Sequence, residues 1–294
     1  MTDKKQRPSG SAAGVAMMRA IEAQKPEEAR ICDDPYAHAL IQGGFTYGLL
    51  KWMINSGLYD RLAPGAVGFV VGRERYIDDF LKACLSEGLD QVVLLGAGYD
   101  TRPYRIPGIE KTRVFEIDQA ATQEDKLKRL EKVIHPLPAN ATFLPVDFNT
   151  QSLGERLKSV GYNEESKTLF IWQGVTYFLT TAGVESTLAF IASHSGPGSA
   201  VVFDYFYNEI LRDPHRAEVK AMQRTAHAFG EDYTFGINHG QVEPFLTQRG
   251  FKDVTNMTME ELKRIYFTGP NANRTVNPSI AIATARVNKE RVSV

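Results

Sequence analysis

Short apolar runs alternate with stretches of helical spacing through the middle of the chain. The runs are Val92–Leu95, Thr112–Asp118, Thr142–Asp147, Thr168–Trp172 and Ser199–Asp204. Between them, apolar residues recur three and four apart near 119–133, 151–160 and 181–194, as on one face of a helix. Runs of this length that carry no polar alternation suit strands covered on both faces. Strands interleaved with helices in this way predict βαβ units and a largely parallel sheet.

The flanks read differently. Residues 14–51 have a patchy helical pattern, in which Asp33-Asp34-Pro35 marks a fresh helix start, with an acid as cap and proline in the first turn. The Gly43-Gly44 pair ends that helix. Tyr76, Ile77, Phe80, Leu81, Cys84 and Leu85 predict a helix from Gly72 to Glu87, stopped by Gly88. After Tyr205 the rhythm breaks into a long polar helical insertion to about Gly230, then a helix over 240–249. Two further strand candidates follow, Phe251–Met257 and the alternating Ser279–Val287, the latter suited to an antiparallel pair.

Chemistry concentrates at the ends of the runs. Leu94-Leu95-Gly96-Ala97-Gly98 is a strand entering a Gly-x-Gly turn, where absent side chains let a nucleotide lie against the backbone. A bare turn is the alternative. Thr101 occupies the third-glycine position that a dinucleotide's pyrophosphate requires, which disfavours a nicotinamide cofactor. Asp118 ends the next run about 20 residues on, where an acid accepts from ribose hydroxyls; Glu116 competes with it from two positions earlier. Asp147-Phe148 could bind and flank an adenine, or Asp147 could cap the following helix. Arg73, with Arg75 as rival, could hold a carboxylate in a charge-assisted pair. Gln173 follows the fourth run at the same end of the sheet.

Arg73-Glu-Arg-Tyr-Ile-Asp-Asp, the Val-Val-Leu-Leu-Gly-Ala-Gly-Tyr-Asp-Thr-Arg segment, Phe115-Glu-Ile-Asp118 with Lys126 downstream, Asp147-Phe148 and Gln173-Gly-Val-Thr-Tyr-Phe-Leu179 together resemble the leucine carboxyl methyltransferase family. They are closer to its bacterial and archaeal branch of O-methyltransferases, over about residues 30 to 205. The resemblance implies a class I methyltransferase fold, α/β and Rossmann-like, with a seven-stranded, mostly parallel sheet. It implies S-adenosylmethionine (SAM) as cofactor and S-adenosylhomocysteine as product. It implies an N-terminal helical extension over residues 1–71 and a methyltransferase domain over 72–294, with a lid inserted at 205–240. Carried over, Arg73 binds the SAM carboxylate, Gly96, Ala97 and Gly98 line its methionine and ribose, Asp118 holds the ribose, and Asp147 with Phe148 the adenine. Gln173 stands where the family usually has a glutamate that meets the cofactor's ammonium. It keeps an acceptor oxygen without the charge, so Asp100 is a second candidate for the ammonium. The neutral residue also leaves open a non-catalytic SAM-binding regulator.

Composition narrows the remaining classes. The 294 residues are enough for a large α/β domain with additions, and a net charge of −1 provides no global attraction for nucleic acid or an anionic membrane. Two separated cysteines and six dispersed histidines predict neither a disulfide framework nor a metal site. No signal-peptide pattern or long apolar span is found, so a cytoplasmic protein is expected. The acceptor is expected to be a small molecule, methylated on a carboxylate or hydroxyl oxygen. Tyr177, Tyr207 and His239, with Tyr205 beside them, are the candidate bases. Arg102 and Arg105 could steer an anionic acceptor or form salt bridges within the domain. Phe45, Tyr47, Trp52, Tyr59, Phe206, Tyr207, Phe229 and Phe235 are the aromatics expected around it. Oligomeric state has no sequence signal.

Overall fold

The computed structural model describes residues 8–41, 44–146, 151–213, 219, 223, 226–227 and 230–289. Its centre is a sheet in the order β3-β2-β1-β4-β5-β8-β7. The strands are β1 Gln91–Leu95, β2 Arg113–Asp118, β3 Ala141–Pro145, β4 Thr168–Trp172, β5 Ala200–Tyr207, β7 Phe251–Thr258 and β8 Ile280–Val287. The first five run parallel, while β8 is antiparallel to both β5 and β7. A two-residue strand, β6 Gly236–Ile237, adds to the end of β5, so the expected seven strands gain a short eighth. β5 also runs on to Tyr207, three residues into the span read as an insertion.

Alternate residues of each strand serve opposite faces. Val92 and Leu94 join a core with Ile77, Leu81 and Leu262, whereas Val93 and Leu95 pack with Leu157, Val184, Leu188 and Ile191. The first face is covered by α4 Ala66–Ser86 and α11 Met259–Tyr266, the second by α7 Leu153–Ser159, α8 Thr181–Ser193 and α10 Val242–Thr247. The apolar runs are therefore legible as strands because neither face meets water.

The N-terminal part departs from expectation. α1 Gly10–Ala23 is followed by α2 Phe45–Asn55 and α3 Leu58–Leu62. Residues 35–40 form turns instead of the predicted helix. Asp34 does accept from the amides of Tyr36 and Ala37, at 3.2 and 3.0 Å, but its other oxygen is held by Arg19 at 2.9 Å. α4 starts six residues before the expected Gly72. That glycine sits inside the helix because α11 crosses there: a Cβ would lie 2.5 Å from Leu262 Cδ2. Ala16, Ala20, Ile21, Leu40 and Tyr47 pack with Tyr99, fixing the N-terminal helices directly onto the residue after Gly98. Among the described residues no helix is long and apolar enough to cross a membrane.

Candidate active site

β1 is flanked by β2 on one side and β4 on the other, so chain order reverses there. In open parallel sheets the crevice at such a reversal, beyond the strands' C-terminal ends, is where ligands bind. The glycine turn lies at this point. Gly96 has φ +70°, and a Cβ on it would fall 2.4 Å from Val175 Cγ2 in the loop after β4. Gly98 has φ +48°, with Ala12 of α1 lying over it, 3.2 Å from where a Cβ would stand. Both positions need glycine for conformation, and Gly96 needs it for space as well.

Asp118, at the tip of β2, reaches back to this turn. One carboxylate oxygen accepts from the Gly98 amide at 2.5 Å and the other from the Gln119 amide at 2.6 Å. Burial pushes the carboxyl above its ordinary range, against the downward pull of those two amides. Glu116, its competitor, points onto the α4 side and is fully buried with Lys126 and the Tyr104 hydroxyl. Only Asp118 is left facing the crevice.

Arg73 is also buried. Its Nη1 lies 2.5 Å from Asp204 Oδ2, its guanidinium stacks 4.5 Å from the Phe69 ring, and its Nε has no partner among the described residues. The other Asp204 oxygen accepts from the Gly174 amide at 2.7 Å, tying the loop after β4 to the arginine. Arg75, the alternative, is half-exposed and bonds Asp79 along its own helix. Beside Arg73, Gln173 donates from Nε2 to Glu74 at 2.9 Å, while its Oε1 is buried without a partner.

Arg102 and Arg105 do not steer an acceptor. Arg102 is fully buried and spans Asp78 at 2.7 Å, Asp100 at 2.5 Å and Glu74 at 3.1 Å. Arg105 binds Asp78 at 2.5 Å, Glu74 at 2.7 Å and the Thr101 hydroxyl at 2.9 Å. A guanidinium forks naturally between carboxylates, and here the fork binds the turn after β1 to α4. Asp100, the second ammonium candidate, is spent in the same network, accepting from the Arg102 amide and side chain. Despite its burial Glu74 is held ionised, its carboxyl far below the usual range, because Arg102, Arg19 and Arg105 surround it.

The candidate bases do not meet. Tyr177 lies within the cluster, its hydroxyl 3.5 Å from Arg73 Nη1. Burial and the adjacent Asp204 keep its phenol protonated well above the ordinary range, so it is a donor at neutral pH. The Tyr207 and His239 rings pack against one another at 4.5 Å with their planes tilted by 45°, and Tyr207 belongs to the core of the opposite sheet face, as does Tyr205. His239 is exposed. Asp147, Phe148 and Phe229 lie outside the described residues. Of the other expected aromatics, Phe45 and Trp52 face solvent at 85% and 60% exposure, Tyr47, Phe206, Tyr207 and Phe235 are core, and Tyr59 packs at the core's edge. Phe206 instead joins Tyr177, Phe178 and Tyr233 in a cluster of rings 4.7–5.5 Å apart.

Three residues at the site escaped sequence reasoning: Glu74, Asp204 and Glu231. Asp204 carried a signal, since it ends an apolar run just as Asp118 does. Glu231 accepts from the Ser11 hydroxyl at 2.8 Å, joining α1 to the 205–240 span.

The sheet order and the glycine–aspartate crevice are those of a class I methyltransferase. The sequence signature of the family described as "Leucine carboxyl methyltransferase" matches residues 12–192. The chain belongs to this family and is a SAM-dependent methyltransferase. It is 29% identical over 227 residues to the "Putative S-adenosyl-L-methionine-dependent methyltransferase YktD" of Bacillus subtilis, covering 76% of this chain and 72% of that one. A Streptomyces avermitilis protein of the same description is 35% identical over 209 residues, covering 68% and 71%. Among solved structures, a Thermobifida fusca "putative methyltransferase" superposes with a TM-score of 0.59 at 11% identity, over 97% of each chain. A DUF574 family protein from Streptomyces avermitilis does so with a TM-score of 0.56 at 13% identity, over 91% of this chain and 99% of that one. These two likenesses concern the fold.

The residues fit the cofactor. Among the described residues the Gln173 oxygen has no partner and calls for a donor such as an ammonium, Arg73 Nε is an unused donor, and the glycine turn offers backbone in place of side chains.

Proposed function

We propose that this chain transfers a methyl group from SAM to an oxygen of a small-molecule acceptor, releasing S-adenosylhomocysteine, with a carboxylate as the preferred nucleophile. The observation that carries the reading is that Asp118 holds the Gly98 amide while the loop after β4, which lies against Gly96 through Val175, carries Gln173 and is tied through Gly174 and Asp204 to Arg73. In this reading Arg73 holds the cofactor's carboxylate and Gln173 accepts from its ammonium. Gly96, Ala97 and Gly98 back its methionine and ribose, Asp118 binds the ribose hydroxyls, and Asp147 with Phe148 takes the adenine. Residues 1–71 form the N-terminal extension of a 72–294 catalytic domain, and 205–240 forms the lid. The Ser11–Glu231 contact supports the idea that lid and extension close together.

SAM brings a methyl group already activated on a sulfonium, so the protein's task is placement and exclusion of water. In this reading the packed rings of Tyr177, Phe178, Phe206 and Tyr233 serve to shield the region beyond Arg73 from water. A hydroxyl nucleophile needs a base, whereas a carboxylate does not. Tyr177, held protonated, suits the second case better, as does the family's description.

Calorimetry with S-adenosylhomocysteine tests the site: the Asp118→Ala substitution should weaken binding about tenfold or more, as expected for hydrogen bonds to a charged group. Unchanged affinity would remove the ribose assignment. Radiolabelled transfer from SAM to fractionated metabolites tests the chemistry. Methyl label released as volatile methanol by mild alkali marks a carboxyl ester, and alkali-stable label would refute the carboxylate reading.

A further inference from the structure

Among the described residues, the buried charges around Glu74 do not balance. Arg19, Arg102 and Arg105 provide three guanidiniums, against the four carboxylates of Asp34, Glu74, Asp78 and Asp100. Asp34 pairs with Arg19 at 2.9 Å, Asp100 with Arg102 at 2.5 Å and Asp78 with Arg105 at 2.5 Å. Glu74 is left as the surplus acid, sharing the three guanidiniums at 2.7–3.9 Å. Burial and the neighbouring Glu74 push the Asp78 carboxyl up, but both its oxygens face N–H donors of Arg102 and Arg105, which leaves neither oxygen free to carry a proton. A buried negative charge in excess is costly unless a cation joins it.

The remaining neighbour of Glu74 is Gln173. Only the amide's NH2 end can donate to a carboxylate, so the 2.9 Å contact fixes the orientation of the group and turns Oε1 away from Glu74. That oxygen is buried and has no partner among the described residues, and it belongs to the loop whose next residue, Gly174, is tied through Asp204 to Arg73.

We propose that Glu74 supplies the negative charge that balances the cofactor's ammonium, with Gln173 as the positioned neutral acceptor that touches it. The proposal rests on the cofactor reading above and deepens it. Glu74 is a positioning residue: it orients the amide and polarises it through the hydrogen bond. Gln173 is then a matched partner of Glu74 and not a weakened acid, since a glutamate at 173 would set one carboxylate against another.

The test is calorimetry on the full chain with two ligands, S-adenosylhomocysteine and 5′-methylthioadenosine, which lacks the amino-acid moiety. Q173L leaves every arginine contact of Glu74 in place. It should weaken S-adenosylhomocysteine about tenfold or more, as for loss of a hydrogen bond to a charged group, and leave methylthioadenosine unchanged. Q173E and E74Q should each weaken S-adenosylhomocysteine as well. The exchanged pair E74Q/Q173E should regain affinity to within about threefold of the wild type, a difference well under 1 kcal/mol. Thermal melts identify any variant whose loss comes from unfolding, and Q173L and Q173E carry the test if E74Q is unstable. Equal losses for both ligands, an unaffected Q173L, a Q173E that binds better than wild type, or a folded exchanged pair no tighter than folded E74Q would each overturn the assignment. A wild-type chain that binds neither ligand would overturn the cofactor reading and this assignment with it.

Discussion

Lys126→Met removes a cation from inside the domain while nearly preserving side-chain volume, and its effect follows from the surroundings of Glu116. The two side chains are each 1% exposed and in direct contact, between α6 (Ala120–Leu130) and β2. Without Lys126, Glu116 keeps the Tyr104 hydroxyl as its remaining side-chain donor. Two routes give the magnitude. Unit charges about 3 Å apart at an effective dielectric near 20 attract by roughly 5–6 kcal/mol. Removing one partner of a buried pair typically costs about 3–5 kcal/mol. Urea unfolding at pH 8 should therefore show a loss of about 3–5 kcal/mol.

The pH dependence identifies the cause. Burial already pushes the Glu116 carboxyl up in the wild type, against the pull of Lys126 and Tyr104, and loss of the lysine raises it further. Between the unfolded value near 4.3 and the raised folded value, the native state binds more protons than the unfolded state. Stability accordingly falls as pH rises through the folded value, and the variant's deficit should be smaller at pH 5 than at pH 8. Adding Glu116→Gln supplies a neutral acceptor for Tyr104 and should recover most of the loss. A variant within about 1 kcal/mol of wild type at pH 8, or a deficit constant from pH 5 to 8, would refute the reasoning, since a purely steric defect would not titrate.

Three further outcomes are expected. Gly72→Ala should destabilise by about 1–3 kcal/mol in thermal or urea unfolding, because overpacking against Leu262 outweighs a helix-propensity gain of about 1 kcal/mol. Arg274→Ala should cost about 1–3 kcal/mol at pH 7. Burial pushes the Glu22 carboxyl up, but Arg274 at 2.7 and 3.0 Å and Lys25 at 2.8 Å outweigh it and hold it low. That stability is present above the unfolded value near 4.3 and lost as pH falls through the lower folded one, so the variant should show a shallower acid limb. Phe45→Ser with Trp52→Ser should change unfolding free energy by no more than about 0.5 kcal/mol per site, since both rings face solvent.

What the sequence revealed follows its physics. The five parallel strands stood out because both faces are covered, and Asp118 stood out because it ends a strand 20 residues after Gly98. The helix expected at Pro35 failed because Asp34 is shared between cap and ion pair, and nothing local announces Arg19. α11 was missed although Thr258 and Glu261 form a reciprocal cap at its start, a pattern readable as Thr-x-x-Glu. The early start of α4 was hidden by Gly65, Gly68 and Gly72, which look like breakers until their close neighbours are known: the first two would place a Cβ within 2.3 and 2.0 Å of the backbone at Val276 and Thr275.

The motif Gly96-Ala-Gly-Tyr-Asp-Thr-Arg102 has two separable tasks. Its glycines shape the turn after β1, both with positive φ and Gly96 with no room for a side chain against Val175. Tyr99 packs among the N-terminal helices, while Asp100, Thr101 and Arg102 belong to the ion network that holds α4. The partners Glu74 and Asp78 lie 28 and 24 residues upstream of Arg102, too far for local spacing to reveal. The motif is more specific than Gly-x-Gly because its second half fixes where α4 sits, and α4 carries both Arg73 and Glu74. Substitutions in the Asp100–Arg102 half should therefore weaken cofactor binding without touching the cofactor, through displacement of α4, whereas substitutions at Gly96 or Gly98 act within the crevice itself.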